Sequence, residues 1–244
     1  MEPGQIIALV VAALAIGVSK AGFSGVSMVS VFLLADAFGA KESLAVALPM
    51  LIAADLIVYP AFRKYGSWKP VMKFLWPALI GVVLAVLVLS RVSNEVMRPV
   101  IGGIILFMVL LQLLRRFIPD TFSKMAHHGG FGIVAGVCGG IATMLANAAG
   151  PVMQLFLLSR DVPKMELIGI GARFFLVINI LKLPLVGQLG LVEGQMLLWN
   201  LAMLPVIALG IFGGRKLLHY VSQQVFEWMI VVFALVAGAR LMFW

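Results

Sequence analysis

Apolar residues in this chain come in long blocks, and polar residues are confined to short stretches between them. The blocks run over Gln5–Phe38, Ser43–Phe62, Val71–Ser90, Val96–Leu114, Gly129–Leu158, Leu167–Gly187, Met196–Phe212 and Val225–Met242. A hydrocarbon core of ~30 Å takes roughly 20 helical residues to cross, so the blocks predict membrane segments. Without water to bond the backbone, such segments must satisfy their own polar groups, which predicts helices. The longest polar connection, Arg115–His128, is too short to fold alone, and no soluble domain is expected.

The first and fifth blocks run to about thirty residues, more than one crossing requires. Each is interrupted near its centre. Gly17-Val-Ser-Lys-Ala-Gly-Phe-Ser-Gly25 carries a lysine and three glycines, and Gly139-Gly-Ile-Ala-Thr-Met-Leu-Ala-Asn-Ala-Ala-Gly-Pro151 ends in a helix-breaking Gly-Pro. The halves, about fifteen residues each, are too short to span separately. Each block is therefore one long tilted helix or a hairpin that enters the membrane and turns back.

The two halves of the chain are variants of one another. Met50–Gly66 is echoed by Phe174–Gly190, with Asp55, Pro60 and Gly66 recurring 124 residues later as Asn179, Pro184 and Gly190. Downstream, Leu89-Ser-Arg-Val-Ser-Asn-Glu-Val96 is echoed by Leu218-His-Tyr-Val-Ser-Gln-Gln-Val225. A duplicated membrane unit is most often a transporter.

Composition supports the same solvent: 63% apolar, 11% charged and a mean hydropathy of +1.12, far from a soluble domain. The net charge of +8 would suggest nucleic acid in a soluble protein. Here most of it lies in loops, where it reads as a topology signal, and no nucleic-acid partner is expected. If all eight blocks cross once, the loop lysines and arginines divide 7 against 8. If the fifth is a hairpin they divide 11 against 4. The rich side then holds Arg63, Lys64, Lys69, Lys73, Arg115, Arg116, Lys124, Arg160, Lys164, Arg215 and Lys216; the poor side holds Lys41, Arg91, Arg98 and Arg240. The positive-inside rule selects the second division and makes the central loop cytoplasmic. The first hairpin is not tested by the count and rests on the internal likeness.

With both hairpins, each half makes three crossings and the second half is inverted. The expected fold is an all-α polytopic membrane protein of two inverted repeats, each a broken, re-entrant helical hairpin plus three transmembrane helices. The first repeat takes residues 1–118, a connecting loop 119–128, and the second repeat 129–244. Irregular backbone at a hairpin tip is tolerated only where protein buries it or a watery cavity meets it, so the tips are expected to form the site. Cys138 is the single cysteine and precludes an intramolecular disulfide. Met1-Glu-Pro-Gly4 lacks the basic start of a cleaved signal, although Ala13-Leu-Ala15 weakly imitates a cleavage site.

Four charges fall inside apolar blocks: Lys20, Asp55, Arg173 and Lys182. Each costs ~2.5–3.5 kcal/mol at a helix centre, so they are expected to be paired or functional. A structural reading is an ion pair such as Lys20–Asp55, with Arg173 snorkelling toward the cytoplasm. The functional reading rests on sign: three cations and one anion suit an anionic substrate, and helix N-termini at the tips add to the attraction. Asn179 and Lys182 share a helical face, whereas Arg173 lies about half a turn round and is the weaker candidate. Asp55 and Tyr59 share a face by i, i+4 spacing. Asn147, at the second tip, is placed either to donate to a ligand oxygen or to cap a turn. The candidates are thus Lys20, Asn147, Asn179 and Lys182 for substrate, with Asp55 and Tyr59 for proton coupling or ion pairing.

Other signals are structural. Gly132-x-x-x-Gly136, Gly136-x-x-x-Gly140 and Gly210-x-x-x-Gly214 allow close helix approach. Trp76, Trp199 and Trp244 suit an interfacial belt, and the fourteen methionines suit packing. His127-His128 has no nearby thiol or paired carboxylates, so no metal site and no cofactor is expected. Gly22-Phe-Ser-Gly25 matches the G-x-S-G pattern of intramembrane serine proteases, but that serine needs an imidazole, and His127, His128 and His219 all fall in predicted loops. Gly213-Gly-Arg-Lys216 has only a superficial likeness to a phosphate-binding loop.

At these residues the chain resembles the sulfite exporter TauE/SafE family, also called the toluene sulfonate uptake permease family. The resemblance covers nearly the whole length. It is carried by Ser19-Lys-Ala-Gly-Phe-Ser-Gly25, Leu48-Pro49, Asp55-Leu56, Tyr59 and Trp68, and then by Asn147-Ala-Ala-Gly-Pro151 and Val177-Ile-Asn-Ile-Leu-Lys-Leu-Pro184. The chain differs at Ala21, Ser24 and Val26, where relatives are richer in glycine. It also has Asn147-Ala-Ala-Gly-Pro-Val152 where related sequences often read His-Ala-Gly-Gly-Pro-Pro. The resemblance implies an inverted-repeat fold and transport of sulfite, sulfonates, sulfoacetate or related organosulfur anions across the bacterial inner membrane. The expected function is a secondary transporter rather than an enzyme, with a passive anion channel and an intramembrane hydrolase as the second and third readings. Protons are the candidate coupling ion, the bilayer is the surrounding partner, and a homodimer is the candidate assembly.

Overall fold

The computed structural model describes residues 1–121, 124, 130–158, 162–192, 194–220 and 223–243, with side chains except at 24, 154–155, 158, 164, 217–220 and 223–227. Among the described residues the chain is helical, without strands. The helices are α1 (Pro3–Lys20), α2 (Ser27–Phe38), α3 (Glu42–Phe62), α4 (Trp68–Leu89), α5 (Asn94–Phe117) and α6 (Phe131–Ala146). They continue with α7 (Gly150–Leu158), α8 (Lys164–Gln188), α9 (Gly194–Ala202), α10 (Leu204–Tyr220) and α11 (Gln223–Phe243). Among the described residues five of these, α1, α3, α4, α5 and α8, are long and apolar enough to cross a membrane, and the bent pair α9 and α10 is a sixth if taken as one span. Large apolar side chains such as Leu84, Leu198, Leu209 and Val236 are exposed, as they must be where lipid is the solvent. The protein is a polytopic α-helical membrane protein.

Both interrupted blocks are broken, and the backbone shows why. After α1, Gly22 takes φ +123°, a conformation that a Cβ disfavours. A 3-10 turn at Ser24–Val26 then leads into α2. That helix runs back along α1: Gln5 Nε2, near the start of α1, donates to Ala37 O, near the end of α2, at 3.3 Å. In the fifth block Asn147 adopts the left-handed conformation, φ 50° and ψ 30°, in which asparagine is the best tolerated residue after glycine. Asn147 N–H donates to Thr143 O (3.0 Å) and Ala148 N–H to Ala142 O (3.2 Å), closing off α6. The following helix also turns back, since a Cβ on Gly139 would lie 3.8 Å from Val152 Cγ1.

One expectation needs correction and one gains a detail. The halves of the broken blocks are unequal, 18 and 12 residues in the first and 16 and 9 in the second. The first reversal waits for Gly22, which leaves α1 long enough to cross a membrane by itself. Met196–Phe212, read as one crossing, is two helices meeting at 43°, which taken together are long and apolar enough for one bent span. The bend falls where Pro205 has no N–H for the carbonyl four residues earlier.

Four pairings dominate the packing: α4 on α6, α1 on α10, α5 on α11 and α3 on α8. The first two are backbone-close crossings. A Cβ on Gly17 of α1 would lie 2.8 Å from Gly210 Cα of α10, and one on Gly140 of α6 would lie 2.9 Å from Ala78 Cα of α4. Without a hydrophobic force between helices in lipid, such close van der Waals contact is what holds them. Phe74 of α4 fills the centre, its ring 5.2 Å from Phe156 and 5.0 Å from Phe174.

Candidate functional site at the two helix breaks

Asp55 is fully buried in α3, where an ionised carboxylate is tolerable only with partners. It has two. Lys20 Nζ, at the end of α1, lies 2.6 Å from its Oδ1, and Asn179 Nδ2 of α8 donates to its Oδ2 at 2.8 Å. Asp55 and Asn179 are the counterparts identified by the internal likeness, and the packing of α3 on α8 brings them into direct contact. Lys20 also lies 4.5 Å from the centre of the Phe175 ring, whose face attracts a cation.

At the second break the lysine comes from the opposite direction. Lys182 of α8 is 1% exposed. It donates to Thr143 O (2.5 Å), Thr143 Oγ1 (3.2 Å) and Asn147 Oδ1 (2.6 Å). Thr143 O is one of the last carbonyls of α6, so the ammonium meets the negative end of that helix's dipole. Asn147 is therefore a turn residue whose side-chain oxygen is engaged by Lys182, which leaves its amide nitrogen as the group able to donate.

A cavity of about 90 Å³ lies beside this cluster. Ser19, Lys20 and Asp55 supply its polar wall; Met153, Leu157 and Phe175 are among the apolar side chains opposite. Helices α1, α3, α7 and α8 all contribute, so it lies between the two breaks. From Lys20 it extends along the early part of α8, past Leu167 and Ile168, toward the α3–α4 turn packed there against Gly169 and Ile170. Lys182 stands behind the second break and does not line it.

The other candidates lie elsewhere. Arg173, 5% exposed, turns to the α3–α4 connection: Nη1 donates to Tyr65 O (2.6 Å) and Gly169 O (2.9 Å), and Nη2 to Arg63 O (2.5 Å). It fastens α8 to that turn. Tyr59 is half-buried one turn beyond Asp55 and does not line the cavity. His127 and His128 fall outside the described residues, as do the side chains of Ser24 and His219. Two contributors escaped the sequence reading. Thr143 lies four residues before Asn147, so helical spacing already placed them together. Phe175 carried no signal, being one aromatic among sixteen phenylalanines.

Broken helices that turn back within a membrane protein and bury charged side chains at the breaks define a class, the transporters built on discontinuous helices. The comparison with known families is specific. Residues 9–241 match the family described as sulfite exporter TauE/SafE, and the chain belongs to that family of sulfur-anion transporters. Comparison with curated proteins and with solved structures gives no match.

Proposed function

We propose that the chain is a secondary transporter of a small sulfur-containing anion of the sulfite, sulfonate or sulfoacetate class, working by alternating access between two inverted repeats. The repeats are residues 1–118 and 129–244, and the loop at 119–128 is cytoplasmic in a bacterial inner membrane. The observation that carries the reading is the cavity between the two breaks, which ends on Lys20 in a buried cluster holding two lysines against one carboxylate. An entering anion competes with Asp55 for Lys20 and finds the charge of Lys182 behind the second break, with the amides of Asn147 and Asn179 beside it. Displacing Asp55 from Lys20 leaves a buried carboxylate without its cation, and a proton is the compact charge that replaces it. Asp55 is thus the proton-coupling residue.

Two features support a two-fold relation between the halves, which the inverted arrangement requires. Exchanging the halves turns the α1–α10 pairing into α6–α4 and maps α3–α8 and α5–α11 onto themselves. A residue bonded to its own counterpart, as Asp55 is to Asn179, has to lie close to the axis relating the halves. Single cysteines in a Cys138→Ser background test the topology. Those replacing Lys69 and Lys124 react with an impermeant maleimide from one face, and those replacing Ser93 and Gly190 from the other. Labelling of positions 124 and 190 from the same face would defeat the arrangement.

Transport is tested in proteoliposomes with sulfite and sulfoacetate. Flux saturates and a proton gradient drives accumulation; large unsaturating currents would instead identify a channel. Asp55→Asn mimics the protonated carboxylate, so this variant exchanges anion down a gradient but does not accumulate it. Accumulation at the parental rate would exclude Asp55 as the coupling residue.

A further inference from the structure

The cavity extends from Lys20 toward the α3–α4 turn, and a different set of side chains fastens the opposite end of the helix assembly. Asp36, near the end of α2, accepts from Arg98 Nη2 of α5 at 2.8 Å through Oδ1 and from Arg240 Nη2 of α11 at 3.1 Å through Oδ2. One carboxylate thereby bridges α2 to both members of the α5/α11 pair. Arg240 also lies 5.7 Å from the Phe32 ring, and Phe32 meets Phe233 of α11 edge-on at 5.8 Å. Beyond α2 the same end is tied again. Asn94, at the start of α5, donates to both Glu42 oxygens of α3 at 2.9 Å and accepts from the Lys41 N–H at 2.8 Å.

These contacts differ in kind from those at the cavity end. The side chains of Arg98, Asp36 and Arg240 are 35%, 28% and 56% exposed, so water can take each partner's place when a contact opens. Exposed pairs of this sort are weak and salt-screened, which makes them easy to break and remake. Arg173, at the cavity end, is buried against three carbonyls, and water cannot replace those bonds without unpacking α8. The cavity end carries a permanent bolt, and the far end a reversible clasp.

We propose that Asp36, Arg98 and Arg240, with Glu42 and Asn94 beside them, form a latch that closes the Asp36 end while the cavity faces the α3–α4 turn. The latch opens as α5 and α11 part from α2 and α3, exposing Lys20 to the other side. The inference rests on the alternating-access reading above.

Two measurements test it, both in a Cys138→Ser background. Asp36→Cys with Arg98→Cys, bridged by a cleavable bifunctional methanethiosulfonate, loses sulfite counterflow in proteoliposomes and regains it when the bridge is reduced. Counterflow at the unbridged rate would overturn the latch. Separately, Asp36→Asn raises the labelling rate of Ser19→Cys by an impermeant maleimide applied to the Asp36 face, by roughly fivefold for the loss of its two weak, exposed ion pairs. An unchanged rate from that face would also overturn the latch. The labelling arm needs no substrate, so it decides the latch independently; absence of sulfite counterflow in the parent would count against the transport reading instead.

Discussion

At the first break Lys20 is itself the last residue of α1, and it reaches forward to the carboxylate of α3. At the second, Lys182 reaches back from α8 to the last turn of α6. Each ammonium sits at the C-terminal end of a broken helix, where the helix dipole favours a cation. The surroundings are otherwise opposite. Lys20 has a carboxylate at 2.6 Å, is 12% exposed and lines the cavity. Lys182 is 1% exposed and holds three neutral oxygens. A charge whose partner is another side-chain charge can be handed to a ligand of that partner's sign, because the displaced carboxylate can be neutralised by a proton. An ammonium bound to backbone and amide oxygens has no such exchange open to it, since releasing it strands those acceptors. On the proposed transport cycle the first tip is therefore the exchangeable one and the second the fixed one.

The largest effect expected is on stability, and it separates the two lysines directly. Lys20→Met leaves Asp55 buried without its cation, a change that costs ~3–5 kcal/mol. Adding Asp55→Asn removes the stranded charge and restores most of the loss. Lys182→Met strands the Thr143 carbonyl and Asn147 Oδ1 at ~1–3 kcal/mol, and Asp55→Asn does not restore it. Thermal unfolding of these four variants and of Asp55→Asn alone in detergent reads both cycles. Equal rescue of both lysine variants by Asp55→Asn would erase the distinction.

Anion affinity is the next discriminator. Lys20→Ala in the Asp55→Asn background loses a charge-assisted bond of ~1.5–3 kcal/mol, or roughly ten- to more than hundredfold in the dissociation constant for sulfite or sulfoacetate. Lys182→Arg keeps the charge behind the second tip but replaces a compact ammonium with a planar fork, so it weakens binding less. Calorimetric titration checks the order. A folded Lys182→Arg protein that loses as much affinity as the Lys20 variant would place both ammoniums against the anion.

The smallest effects concern the breaks themselves. Asn147→Gly keeps the left-handed turn and removes one acceptor of Lys182, at about 1 kcal/mol. Asn147→Ala adds a further ~1–2 kcal/mol because a Cβ without the asparagine amide disfavours that conformation. Gly22→Ala has only the backbone term. Matching losses in melting temperature for Gly22→Ala and Asn147→Gly would show the two tips to be equally tolerant.

Much of this is legible in the sequence. The apolar blocks announced a polytopic helical protein, because in lipid the length of an apolar run and the need to satisfy its backbone leave few alternatives. The interruptions announced themselves through the Gly17–Gly25 and Gly139–Pro151 stretches. The internal likeness singled out Asp55 and Asn179, and helical spacing set Arg173 apart from Lys182. Other features were out of reach. The end of α1 depended on which of several glycines takes the reversed conformation, and the bend before Pro205 on how α9 and α10 pack. Thr143 was within reach of i, i+4 reasoning; Phe175 was not.

By itself, then, the amino-acid order determined the solvent, the helices, the two interrupted stretches and the set of charges that had to find partners, since hydropathy and backbone preference act between near neighbours. Only the tertiary structure decided who those partners are. Asp36 meets Arg98 and Arg240, Asp55 meets Lys20 and Asn179, and Lys182 meets the end of α6. Which ammonium faces the cavity depends on how far each helix runs before it breaks and on which helix packs beside it. Those contacts join residues up to 204 positions apart, and local preferences do not act over that separation.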